Sequence, residues 1–444
     1  MKRIKLSWLL LLLALSGLWL LADTLMPVPL TYFSFRTVLI QFTGVIAIGA
    51  MSVAMLLAIR PKWLEPHLHG LDKMYRLHKW LGITALVASA VHWWWVTGTK
   101  WMVGWGWLTR PVRTPRAEQN LGLIEQWLRG QRDTAEFLGE WAFYAVVALI
   151  ALALIKRFPY HLFTKTHRWL SVIFAVLVYH SVVLMKAEYW SQPLGWVIGL
   201  LMLGGLWAAV MARSGRIGVH RRTNGRIESL TYYPELRVLE TSLLMEPGWA
   251  GHAAGQFAFV TSDLREGAHP YTIASTWNPL DRRIIFITKA LGDHTGRLHD
   301  QLKIGGLTTV EGPYGCFDFQ DHRPRQIWIG AGIGITPFIA RMKQLAQTPG
   351  TQQIDLFHPT ADFEQAAIDK LTADAQAAHV KMHLLVDARD GRLDANRIRA
   401  AVPEWRSASI WFCGPPGLGQ ALRDDFIAHG FPEGQFHQEI FQMR

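Results

Sequence analysis

Six long apolar runs mark the first half of the chain, at Leu6–Ala22, Val38–Ile59, Leu77–Val96, Trp141–Ile155, Leu170–Met185 and Leu194–Ala212. A helix needs about 20 apolar residues to cross a bilayer, so these predict six spans, the fourth being short. After Arg222 the pattern changes. From Gly225 to Asp321, short alternating runs such as GQFAFVTS, RRIIFITKA and LTTVEGPYG are broken by Gly and Pro. That predicts an antiparallel β-barrel of about a hundred residues, with GPYG as a closing turn. From Arg325 the chain reads strand, turn, helix: QIWIG, then AGIGITPFIARMKQL. Further strands are predicted at Gln353–Phe357, Lys381–Val386 and Ser409–Cys413, with helices between them. The fold class is a multidomain membrane protein: a six-helix bundle over 1–214, a β-barrel over 215–322 and a Rossmann-like α/β domain over 323–444.

Half of the 444 residues are hydrophobic and the formal charge is +11. A basic balance suits nucleic acid or membrane loops, and the placement decides for the membrane. Arg60, Lys62, Lys73 and Arg76 lie between spans two and three, and Lys156, Arg157, Lys165 and Arg168 between four and five. Arg213, Arg216, Arg221 and Arg222 follow span six. The positive-inside rule makes these three groups cytoplasmic and puts Thr97–Gly139 outside, where Arg110, Arg113 and Arg116 depart mildly from it. Within that outer segment only a surface helix near Leu121–Leu128 is predicted. Trp93, Trp94, Trp95, Trp101, Trp105 and Trp107 read as an interfacial belt or as loop packing. Basic Met1–Lys5 followed by Leu6–Ala22 reads as a retained first span rather than a cleaved leader, since no small-x-small site closes it. Two cysteines, Cys316 and Cys413, exclude a disulfide framework and an iron–sulfur cluster.

Histidines are the costly residues inside the spans. His78 and His92 stand fourteen residues apart on span three, His167 and His180 thirteen apart on span five. An intramembrane imidazole is a functional hypothesis by default. Both helices run the same way, so His78 pairs with His167 near the cytoplasmic side and His92 with His180 near the outer side. Two haems, each gripped by one histidine from either helix, would lie roughly 20 Å apart. The plain alternative is a set of hydrogen-bonded interface histidines. Fourteen residues stop about 40° short of four turns, whereas thirteen stop roughly 140° short, so span five needs other rotamers, a tilt or a bulge.

Histidine pairs at these spacings, on the third and fifth of six spans, resemble the ferric reductase and NADPH oxidase superfamily of flavocytochromes b. The resemblance extends over nearly the whole chain. It implies that Arg36, in FSFRTVLIQFTG, lies near an outer haem propionate. Phe174, midway between His167 and His180, is either an electron bridge or ordinary packing. HPYTIAS resembles the flavin motif, which implies FAD contacts from His269, Pro270, Tyr271, Thr272, Ala274 and Ser275. His269 there stands where soluble relatives have Arg. TKALGDHTGRL resembles the pyrophosphate loop, with Thr288, Gly292 and Thr295. The glycine-rich turn with Gly330, Gly332, Gly334 and Thr336 would receive dinucleotide phosphates at a helix N-terminus. Cys413, Gly414 and Pro415 match the nicotinamide contact, and Phe441 the near-terminal aromatic over the flavin. Thr272, Cys413 and Phe441 are the implied catalytic positions, while Glu439 would help with nearby protons.

The resemblance implies an NAD(P)H-dependent oxidoreductase of the cytoplasmic membrane. Its cofactors would be FAD and two haem b, its electron donor cytosolic NADPH or NADH, and its acceptor outside either dioxygen or a ferric chelate. LFHPTADFE, after the second α/β strand, has no Arg or Lys for a 2′-phosphate, leaving His358 and Thr360 as contacts and the coenzyme open. Lipid is the expected partner, with no nucleic acid and no obligate protein partner. Two other readings are a haem-free membrane-anchored FAD reductase serving another redox protein and a non-enzymatic haem-binding module.

Overall fold

A computed structural model describes residues 2–110, 122–155 and 157–439. The chain forms two compact units, one of residues 1–64 and 73–217, the other of 65–72 and 218–442.

Helices build the first unit: α1 (Lys2–Ala22), α2 (Tyr32–Ala58), α3 (Leu71–Trp93, from its third residue), α4 (Arg132–Leu154), α5 (Tyr160–His167), α6 (Leu170–Leu184) and α7 (Pro193–Arg213). Among the described residues, five stretches are long and apolar enough to cross a membrane: Arg3–Ala22, Tyr32–Ala58, Arg132–Leu154, Leu162–Leu184 and Pro193–Arg213. Helix α3 is not among these five, because Asp72, Lys73, Arg76 and Lys79 occupy its first turns. The fourth span is not short: α4 runs 23 residues, about 34 Å, and begins nine positions before Trp141. Its first turns carry Arg132, Glu136 and Glu140, which hid them from an apolarity reading. Thr31 and Ser34 start α2 with a reciprocal capping box. Leu15, Trp19, Phe174, Ile198 and Met202 form the core, and Phe174 is fully buried. Gly205 on α7 admits it: a Cβ there would lie 2.5 Å from the Phe174 ring. Outside the spans, a surface helix occupies Leu123–Gly130 and exposes Leu123, Ile124 and Trp127. Arg113, Arg116, Lys156 and Phe441 lie outside the described residues.

The second unit contains two sheets. Strands β1 (Arg222–Tyr233), β2 (Val238–Met245), β3 (Phe257–Thr261), β4 (His269–Thr272), β5 (Arg283–Lys289) and β6 (Leu307–Tyr314) make an antiparallel sheet in the order β4-β3-β6-β1-β2-β5. An Ile273–Phe286 bridge joins its two ends. GPYG is not a free turn, because Gly312–Tyr314 end β6, where Tyr314 pairs with Phe257 of β3 across a register shift. Helix α8 (Asp293–Gln301) follows β5. The parallel sheet holds β7 (Arg325–Gly330), β8 (Gln353–Thr360), β9 (Lys381–Val386), β10 (Ala408–Cys413) and β11 (Phe436–Gln438), ordered β11-β10-β7-β8-β9. Helices α9 (Thr336–Gln347), α10 (Gln365–Ala377) and α11 (Pro416–Ala428) connect it. Strand order reverses at β7, so the carboxyl ends of β7 and β10 form the crevice where such sheets take ligands. Residues 65–72 belong to this unit through Glu65, whose Oε1 accepts the Gly315 N–H at 2.7 Å.

Candidate metal centres and nucleotide site

Rings of His78 and His167 face each other with centres 5.9 Å apart, and those of His92 and His180 with centres 6.2 Å apart. Metal–imidazole bonds are about 2 Å long, and a ring centre lies about 1 Å behind its nitrogen. Two imidazoles on opposite sides of one ion therefore sit roughly 6 Å apart, so both pairs fit a shared metal. Hydrogen bonds orient three of the four. Nδ1 of His78, His92 and His180 lies 2.8, 3.0 and 2.8 Å from the carbonyls of Ala54, Ile40 and Ala135. A carbonyl only accepts, so Nδ1 carries the proton and Nε2 keeps its lone pair for a metal. These carbonyls are reachable because the residue one turn on is small. Gly44 follows Ile40 by four and Gly139 follows Ala135 by four; a Cβ at Gly44 would touch the His92 ring at 3.5 Å, and one at Gly139 would overlap the His180 ring. His167 differs, since its Nδ1 is buried without a hydrogen-bond partner and its ring lies 5.0 Å from Phe163.

A break in the helix accompanies the thirteen-residue spacing. Helix α5 ends at His167 and α6 begins at Leu170. Trp169, Ser171 and Val172 bond the carbonyls three residues earlier. Such 3₁₀ geometry winds tighter than an α-helix, by about 20° per residue, which takes up part of the angular shortfall.

A cavity of about 490 Å³, the size of a cofactor site, adjoins the His92–His180 pair and is lined by Arg36, Gly44, His92, Lys100, Gly139 and His180 among others. Arg36 is held there by a local irregularity. Trp94–Gly98 winds as a π-helix, and Arg36 Nε donates to the Trp95 carbonyl at 2.9 Å and the Thr99 hydroxyl at 3.1 Å. π-Turns recur at functional positions because they free backbone groups in this way.

In the second unit, β4 and the start of α8 bring His269, Tyr271 and His294 together. The His269 ring stacks on His294 at 3.9 Å, with Tyr271 parallel at 6.4 Å. Thr295 fastens the loop: its hydroxyl accepts from Leu291 N–H at 3.0 Å and Gly292 N–H at 3.1 Å. A Cβ at Gly292 would meet nothing within 4 Å, leaving open space before the helix N-terminus. Other motif residues serve the framework. Ser275 Oγ accepts the Ile285 N–H at 3.1 Å, Thr288 donates to Leu239 O at 3.3 Å, and Ala274 N–H bonds Ile285 O at 2.7 Å. Thr272 is buried at the end of β4.

At the β7–β10 crevice, Ala331 N–H donates to Cys413 O at 3.0 Å, and a Cβ at Gly334 would overlap that carbonyl. Gly332 is left-handed (φ +54) and open, so a phosphate can reach the backbone there. Thr336 is buried and donates to Ile333 O at 2.8 Å. Cys413 is buried, and burial, with Glu439 and Asp72, pushes its thiol up. Gly414 follows at φ +157, beside Ala331, and Pro415 caps α11. His358 Nδ1 bonds Gly330 O at 2.6 Å, Thr360 donates to Asp362 O at 2.8 Å, and Asp362 pairs with Lys289 at 2.6 Å. Glu439 is buried beside Gly315. His294 and Glu65 carry no signal of their own in the sequence: His294 sits within TKALGDHTGRL, and the Gly315 partner of Glu65 is 250 residues away. Burial raises the Glu65 pKa, against the Gly315 N–H and Arg221.

Residues 43–178 match the family described as ferric reductase like transmembrane component. A flavohemoprotein of Xylella fastidiosa is 26% identical over 51% of this chain and 62% of its own. Respiratory burst oxidase homolog protein E of Arabidopsis thaliana is 28% identical over 46% of this chain and 24% of its own. The chain thus spans less than two thirds of these curated relatives. Among solved structures, the ferredoxin reductase in carbazole 1,9a-dioxygenase is similar over 50% of this chain and 69% of its own, at 20% identity and TM-score 0.42. Residues 43–178 are thus similar to a ferric reductase like transmembrane component, and about half of the chain is similar to part of the flavohemoprotein and of the oxidase homolog.

Proposed function

We propose that this chain is a transmembrane oxidoreductase that moves electrons from NAD(P)H on the cytoplasmic side to dioxygen or a ferric chelate outside. The observation that carries this is the two facing imidazole pairs, at 5.9 and 6.2 Å, with Nε2 left for a metal at three of the four histidines. His78 with His167 and His92 with His180 would hold one haem b each, which would supply one-electron transfer, and Arg36 would sit beside the one held by His92 and His180. Tyr271 and Thr272 line FAD, and Gly330, Gly332 and Gly334 receive the dinucleotide phosphates. Cys413, Gly414 and Pro415 would bound the nicotinamide. When bound, the flavin takes a hydride and the haems carry single electrons onward. The protein's part is to hold these groups in order and exclude water between them. Helix α3 serves as a sixth span with its charged first turns at the interface, the three basic clusters are cytoplasmic, and the domains run 1–214, 215–322 and 323–444.

The reduced-minus-oxidised spectrum and haem content of the purified chain test this reading. Two b-type haems per chain, reduced by NAD(P)H through added FAD, are expected. Fewer than two, or none, overturns the relay. Superoxide yield in air, set against anaerobic ferric-chelate reduction, then selects the acceptor.

A further inference from the structure

Two imidazoles from different elements meet at the mouth of the proposed flavin site. His269 opens β4 and His294 is the second residue of α8, and their rings lie face to face, 3.9 Å apart and 11° from parallel. His294 is 8% exposed, and its Nδ1 is buried without a hydrogen-bond partner. It stands in the first turn of a nine-residue helix, where free backbone N–H groups and the helix dipole favour an anion. A Cβ at Gly292, the residue before the helix's first turn, would meet nothing within 4 Å.

The charges around the pair are few. Glu266, from the preceding loop, has a carboxylate oxygen within 4.8 Å of the imidazole nitrogens, but that carboxylate is paired with Arg297 of α8 at 3.0 Å. Asp263 from the same loop and Tyr271 of β4 complete the facing titratable groups. Burial, then the neighbouring ring, lowers His269 to about 4, and burial lowers His294 as well. Without a ligand, both rings are therefore neutral at pH 7. Two facing imidazolium rings at this distance would repel, so the pair accommodates at most one proton.

We propose that His269 and His294 together bind the cofactor's diphosphate and capture one shared proton as it arrives. This rests on the flavin reading above and adds to it a second imidazole, His294, and a proton. A diphosphate diester stays fully ionised between pH 5 and 9, so any proton taken up in that range goes to the protein. The anion stabilises the imidazolium and raises its pKa, so FAD binds more tightly as pH falls through the bound-state pKa.

The test uses the flavin-depleted full chain in detergent. FAD affinity is measured by flavin fluorescence at constant ionic strength from pH 5.5 to 8.5. Calorimetry in buffers of different ionisation enthalpy counts protons. Below the bound-state pKa, affinity should rise by up to tenfold for each unit the pH falls, with up to one proton taken up, and it should level off above that pKa. His269→Arg, which is charged throughout, should bind FAD with no proton uptake and a flat pH profile. His294→Gln should weaken binding and lower the proton count, with thermal unfolding as the check on its fold. FAD binding by the unaltered chain with a flat profile and no proton uptake overturns the proposal while leaving the flavin site standing. No FAD binding at any pH overturns both. His294→Gln indistinguishable from the unaltered chain removes His294 from the site.

Discussion

Replacing Gly139 by alanine tests the outer metal centre with a single methyl group. Gly139 lies on α4, one turn after Ala135, whose carbonyl holds His180 Nδ1 at 2.8 Å. A Cβ at 139 would stand 2.9 Å from His180 Cγ and overlap the ring atoms nearer to it. Carbon atoms rest about 3.5–4.0 Å apart, so the imidazole has to withdraw by about 1 Å. That movement lengthens the Ala135 hydrogen bond and disturbs the 6.2 Å spacing to His92. Overpacking of this kind costs about 1–3 kcal/mol, which is roughly 5- to 150-fold in occupancy of the outer site. The inner pair, about 20 Å along the helices, is untouched. Haem content per chain should fall from two towards one and the b-type amplitude towards half, with FAD binding unchanged. Gly82→Ala is the control, because a Cβ there meets nothing within 4 Å on α3 between the two histidines. It should keep both haems and add up to about 1 kcal/mol of helix stability. Two haems with unaltered bands in Gly139→Ala would refute the assignment of His180. Equal loss in Gly82→Ala would show that any change in these helices expels haem.

Arg36→Gln removes a cation from the cavity beside His92 while the Trp95 carbonyl keeps its bond from Thr99; the midpoint potential of the His92–His180 site should drop by on the order of 50 mV in a redox titration, that of the His78–His167 site staying put. Gly334→Ala drives a methyl group into the Cys413 carbonyl; KM for NAD(P)H should rise by about tenfold or more, with FAD content unchanged. His252 donates from Nε2 to Ser275 O at 3.0 Å, and burial lowers it to about 4. Its folded pKa lies below the unfolded value, so its contribution is present above pH 6.5 and is lost as pH falls towards 4. Thermal unfolding at stepped pH should show up to about 3 kcal/mol of acid loss, which His252→Gln flattens.

Much of the architecture was written in local patterns. Apolar runs located the helices, and alternation located the antiparallel strands. Lys381–Val386 appears as a strand where the sequence reading set it, and the glycine-rich turn after QIWIG does open a helix. What was not local was not legible. The start of α4 at Arg132 was hidden because its first turns mix charges with apolar residues, and GPYG reads as a turn although cross-strand pairing draws it into β6. Motif residues with side chains turned into the framework, such as Ser275 and Thr288, cannot be told by sequence from those facing a ligand.

The histidine spacing shows why the boundary falls there. Fourteen residues on α3 put His78 and His92 on one face by helical periodicity alone. Thirteen residues on the partner helix do not, and sequence offers three remedies without choosing among them. The choice lies in backbone hydrogen bonds: after His167 the chain bonds three residues back, tightens, and resumes as α6 at Leu170. The same break leaves His167 without the carbonyl that fixes the other three rings. Its Nδ1 is buried without a hydrogen-bond partner, whereas Gly44 and Gly139 leave room beside the His92 and His180 rings. One irregular turn thus brings His167 opposite His78 and leaves its ring as the least anchored of the four. Haem loss on gentle heating should therefore begin at the His78–His167 site, and prior loss from the His92–His180 site would show that carbonyl anchoring does not set the order.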